Sequence, residues 1–164
     1  MGRIDEADRV AQRGVARFPE NPDILFHAGL VGVQKDELHD ARALFVRAAG
    51  TTLSGYALIG MNDKSITEWR APKMIADIDF QLEDHQVAYD GYLDVLGALP
   101  EEFDEWHVIS ARLVELASSL KDFARLPEHT VRYLSLRADQ VGVAIQVAQQ
   151  LAGGPGLQDA YDLL

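Results

Sequence analysis

Laying Ala7 on Ala41 aligns the segment that ends at Pro19 with the one that ends at Leu53, an internal offset of 34 residues. A unit of that length is one helical hairpin, which cannot bury its apolar face alone and must stack on its neighbours. The rest of the chain agrees with this constraint. Apolar residues recur at helical spacing almost throughout, and no pair of alternating segments joined by a hairpin turn is found, so the expected class is all-α. Breakers cut the chain into pieces of about two to four turns: Pro19 and Pro22, Gly50, Pro100, and Gly153-Gly154-Pro155-Gly156.

Leu25, Ala28, Gly29 and Gly32 fall at first-helix spacings, and Ala41, Phe45 and Ala48 at second-helix spacings, with Leu53 closing the unit. This middle unit resembles the tetratricopeptide repeat, whose signature runs from tryptophan, leucine-glycine and tyrosine to alanine, an aromatic and proline. A second match starts near Trp69: Ile75 and Ala76 take the leucine-glycine places, and Ala88, Tyr92 and Pro100 take the alanine, aromatic and proline places. Small residues at Gly29, Ala41, Ala76 and Ala88 let antiparallel helices approach, while Phe45 and Tyr92 fill the gap to the next pair. Pro72 and Asp79 stand where the third unit should carry aromatics, and Ala11 where the first should.

The resemblance covers about two and a half divergent repeats over residues 2–100 and implies a right-handed superhelix of antiparallel helix pairs. The first unit has only its second helix, near Asp5 to Phe18, which suggests either a fragment of a longer chain or an edge capped by another element. Ala88 follows Ala41 by 47 residues, which places an insertion of 13 within residues 50–67. Beyond it, Ser65 and Glu68 have capping-box spacing, so a helix beginning at Ser65 is expected, kinked or restarted at Pro72. After Pro100 the signature fades. Phe103, Trp106, Ile109, Leu113, Leu116, Leu120 and Phe123 then form the stripe of a long amphipathic helix. Val131, Leu134, Ala138, Val141, Ile145 and Ala148 mark a second long helix, or two broken near Asp139. Residues 101–152 are expected as capping helices of a single domain spanning 1–152, with 153–164 a loosely packed tail.

The formal charge of -11 argues against nucleic acid and anionic membrane surfaces, both of which require a basic face. Acidity concentrates in the second half, notably Glu101, Glu102, Asp104 and Glu105; a solvated surface explains it, and a basic partner is the sharper alternative. Cysteine is absent, which removes disulfides, thiolate metal sites and cysteine nucleophiles. No stretch is long and apolar enough to span a bilayer, and the N-terminus is unlike a leader, so a cytoplasmic protein is expected.

Nothing in the sequence supports catalysis. His27, His39, His85, His107 and His129 are scattered without metal-ligand spacing, and no nucleophile elbow, P-loop or dinucleotide fingerprint occurs. Asp77, Asp79, Glu83, Asp84 and His85 are the densest group of polar ligands but lack the spacing of a calcium loop. No cofactor is expected. The resemblance implies instead a concave groove lined by first helices: Phe26, Leu30 and Gln34 on one, and Arg70, Lys73, Asp77 and Gln81 on the other. The expected function is a non-catalytic scaffold holding a protein or peptide segment. An auxiliary region of a larger bacterial enzyme, such as a glycosyltransferase or methyltransferase, is one alternative. A self-assembling structural protein, pairing through exposed edges, is the other.

Overall fold

The computed structural model describes residues 2–51, 63–99 and 106–153. Among them are α-helices and no strand: α1 (Arg3–Arg17), α2 (Pro22–Gln34), α3 (Leu38–Ala49), α4 (Ala71–Gln81), α5 (His85–Ala98), α6 (Trp106–Ser119), α7 (Leu126–Leu136) and α8 (Val141–Ala152). They fall into two compact units, Met1–Leu82 and Glu83–Leu164. Pro100 and Phe103 lie outside the described residues.

In the first unit each helix packs on the next, α1 on α2, α2 on α3 and α3 on α4. Asn21 caps α2, its side-chain oxygen accepting from the Ile24 amide at 3.1 Å, and Pro22 occupies the first turn where its missing N–H is harmless. α2 lies between α1 and α3, which explains why it is apolar on most sides and buries Leu25, Phe26, Ala28, Gly29 and Gly32. A Cβ added at Gly29 would stand 2.7 Å from two carbons of the Phe45 ring, so α2 approaches α3 as only glycine permits. Phe26 meets Phe45 edge-to-face at 5.4 Å, in a core completed by Ala41, Ala48, Ile66 and Ile78.

The stretch before α4 departs from the sequence expectation. Asp63, rather than Ser65, caps it, accepting from the Ser65 amide at 3.0 Å and the Ser65 hydroxyl at 2.6 Å. The helical run continues through Pro72 without a restart there. A π-helical turn over Ile66–Arg70 carries the Ala71 amide back to the Ile66 carbonyl, widening the helix just ahead of the proline, whose ring would otherwise press on the turn before it. Asp79, in a place expected for an aromatic, is buried and forms a two-point ion pair with Arg42 of α3, at 2.5 and 2.9 Å. A charged clamp thus joins α3 to α4 where a ring would have packed.

In the second unit α5 packs on α6, α6 on α7 and α7 on α8. The long helix expected over 103–123 ends earlier. Ile109, Leu113 and Leu116 are fully buried, but α6 stops at Ser119 and Phe123 lies beyond the turn. Of the two expectations for 127–151, the broken one holds, with Arg137 and Asp139 paired at 2.9 Å in the break. α8 buries Ala144, Val147, Ala148 and Leu151, so of the expected stripe Ala148 is buried while Val141 and Ile145, and Val131 on α7, are exposed.

Left-handed backbone recurs at three turns. Asp36, Glu83 and Lys121 all adopt left-handed backbone, at φ 62°, 61° and 56°. Around the first and third, the following amide reaches back to the Gly32 or Ala117 carbonyl at 2.9 Å, and the residue's own amide to that of Val33 or Ser118, which is a Schellman stop. Five residues after each turn residue comes a fully buried side chain: Ala41, Ala88 and Leu126. Seven before it come Gly29, Ala76 and Val114, all buried. Nine after it come Phe45, Tyr92 and Thr130, again buried. The α6–α7 hairpin therefore keeps the repeat's register but exchanges volumes, placing larger residues on the helices' contact line and a small one where the aromatic stood.

Candidate functional site

The residues expected to line a groove are placed unequally. Phe26 is 3% exposed and belongs to the core, and Leu30 is half-buried against it. Arg70 lies over the Phe26 ring at 4.7 Å and pairs with Asp63 at 2.8 Å, so the π-helical turn brings a cation onto the α2 aromatic. Lys73 and Asp77 pair with each other at 2.9 Å along α4. Gln34 and Gln81, in the last turns of α2 and α4, are exposed. The repeat-packing residues Gly29, Ala41, Phe45, Ala48, Ala76, Ala88 and Tyr92 are all buried.

Two open clefts accompany these residues. In the first unit, a cleft of about 370 Å³ runs between α1 and α3 with α2 as its floor. Ala28 and Gly32 of α2, with Ala41 of α3 beside them, give the floor only short side chains, Val15 and Leu44 line its walls, and Asp8, Glu37 and Asp40 stand at its rim. Lys35 binds across the rim, its Nζ 2.7 Å from Asp8 and 2.9 Å from Glu37. These hydrogen bonds hold its ammonium pKa above the ordinary lysine value. In the second unit, a cleft of about 320 Å³ lies between α6 and α8, with Tyr133 of α7 contributing. Val114, Val143 and Val147 give it an apolar base, while Glu115, Ser118, Gln146 and Gln150 supply polar edges. The Ser118 hydroxyl donates to the Gln150 amide oxygen at 2.8 Å, tying the two walls together.

The sequence pointed to neither cleft. Small residues at Gly32 and Ala41 registered as packing signals, and the glutamines of α8 sat in a segment expected only to cap. Ser118 and Gln150 stand 32 residues apart and carry no motif, and their convergence depends on the α6–α8 approach.

The cluster of possible ligands around residue 79 does not gather. Asp79 faces Arg42 and Asp77 faces Lys73. Among the described residues, no group of three or more His, Asp or Glu is placed to hold a metal ion. Among the described residues, no helix is long and apolar enough to cross a membrane.

The most developed polar group is inside the second unit. Tyr89 of α5 and His129 of α7 are buried and joined through the tyrosine oxygen and His129 Nε2 at 2.8 Å, with the Asp122 carboxylate 3.3 Å from the same oxygen. Burial lowers the His129 pKa and raises that of Tyr89, so both are held neutral. Neither of the two clefts is lined by the pair, and it acts as a polar pin between α5 and α7.

No family model matches the sequence, and no curated protein does. Among solved structures, the fold is similar to that of MamA, with a TM-score of 0.70 at 13% identity over 98% of this chain and 84% of that one. The likeness is one of fold, and with the recurring hairpin turn it supports an all-helical, tetratricopeptide-like architecture.

Proposed function

We propose that the chain is a non-catalytic scaffold that holds a protein or peptide segment on surfaces built by its stacked hairpins. The observation that carries this reading is the pair of open clefts, each with an apolar base and polar edges set on helices fixed by close packing. Such surfaces recognise side chains and backbone amides without requiring a cofactor. The fold likeness to MamA is consistent with the role. Gln34, Arg70, Lys73, Asp77 and Gln81 form the proposed contact stripe of the first unit, with Phe26 and Leu30 supporting it from beneath.

Affinity capture from a lysate of the source cell tests the reading, with the intact chain and a Lys73→Glu variant side by side. A protein retained by the first and lost by the second, both folded by circular dichroism, supports the stripe. Equal retention moves the contact elsewhere, and the absence of any specific partner counts against the scaffold.

A further inference from the structure

The α1–α3 cleft differs from the proposed stripe in both chemistry and position. α1 buries no residue fully: Ala11 and Val15 face the cleft only half-covered, and Val10 is 57% exposed. α1 and α3 both pack on α2, and the closest approach is between α2 and α3, where a Cβ on Gly32 would stand 3.1 Å from that of Ala41. Because the floor residues are so short, the space above them stays open, at a volume within the range of ligand-holding pockets.

The rim decides what fits. Asp8, Glu37 and Asp40 are acidic, and no Lys or Arg lines the cleft among the described residues. The adjacent Lys35 is already held by Asp8 and Glu37, which shows that the rim's geometry accommodates an ammonium group. Asp40 is exposed and has no ion-pair or hydrogen-bond partner among the described residues. An anionic occupant would meet a rim of three carboxylates offset by the single Lys35 ammonium, which is unfavourable, whereas a cationic one would complete the charge balance at Asp40.

We infer that this cleft docks a basic amphipathic polypeptide segment, one large apolar side chain seated above Gly32 and Ala41 and flanking Lys or Arg residues meeting Asp40 and the Asp8–Glu37 edge. This rests on the scaffold reading and gives it a second site, on the α1–α3 side, with a defined partner chemistry.

The test is selection of a random twelve-residue peptide display library on the immobilised full chain, followed by fluorescence anisotropy of the selected peptides against variants. Asp40→Lys reverses the free rim charge, and Ala16→Trp fills the cleft from an exposed position of α1. The expected peptides carry Lys or Arg on both sides of an apolar residue, and bind about tenfold more weakly to each variant, as loss of a charge pair or of an anchor pocket produces. Lys73→Glu leaves them unaffected. Peptides that tolerate Asp40→Lys and Ala16→Trp but respond to Lys73→Glu overturn the cleft and leave the scaffold reading standing. Peptides without basic residues also overturn it, and recovery of no binder overturns both.

Discussion

Replacing Gly29 by alanine should change sign with its background. In an ordinary helix interior the exchange stabilises by about 1 kcal/mol, because glycine carries the larger entropic cost. Here the new methyl would stand 2.7 Å from Cε1 and Cζ of Phe45. That ring is fully buried and held edge-to-face by Phe26, so it has no free rotamer to adopt. Overpacking of this kind costs about 1–3 kcal/mol, so the net effect in the native chain is a loss of up to about 2 kcal/mol. With Phe45→Leu already present the obstruction is gone, and Gly29→Ala should then stabilise by up to about 1 kcal/mol. The two sites therefore couple by about 1–3 kcal/mol, well beyond the scatter expected for independent positions. Urea unfolding of the four chains in the cycle, followed by circular dichroism, measures it. An equal stabilisation by Gly29→Ala in both backgrounds would refute the claim that close α2–α3 approach, rather than helix propensity, selects glycine here.

The remaining predictions concern single interactions. Arg42→Ala should destabilise by about 3 kcal/mol in urea unfolding, the low end for breaking a buried pair because the Arg42 side chain remains 34% exposed, whereas Arg42→Met with Asp79→Leu should cost far less. Lys121→Gly should stabilise by about 0.5–1 kcal/mol by relieving the left-handed strain at φ 56°, read as a rise in melting temperature. The native His129 pKa lies below its unfolded value, so the unfolded chain binds the extra proton. Stability should therefore fall as pH drops through about 6.5, and His129→Gln should flatten that slope in thermal melts across pH 5–8.

The fold was legible wherever the repeat's packing code survived in its ordinary residues. Gly29, Ala41, Phe45, Ala76, Ala88 and Tyr92 stand out by their size at the repeat's positions, and all are buried. The α6–α7 hairpin escaped notice because Val114, Leu126 and Thr130 fulfil the same register with volumes exchanged, leaving no small-small-aromatic string to find. Its turns were hidden for a related reason. Glycine would have advertised the left-handed stops, but Asp36, Glu83 and Lys121 occupy them. At Asp79 the pattern predicted an aromatic, and only tertiary contact shows that Arg42 neutralises a charge there. The stripe on α8 was misphased because its register was carried across a break at residues 137–140, where helical periodicity restarts.

The candidate site was less legible than the fold. Helical steps of four correctly grouped Lys73 with Asp77, which do pair, but periodicity alone does not separate a core aromatic such as Phe26 from a groove residue. Both clefts arise from what helices leave open between them, and neighbouring residues in sequence do not encode that space.

Amide hydrogen exchange on the chain, alone and saturated with its captured protein partner, tests the scaffold account most directly. The account predicts slowed exchange confined to helices that line the stripe or a cleft, with the Gly29–Phe45 and Tyr89–His129 cores unchanged. Protection spread evenly over both units, or none at all, would contradict it.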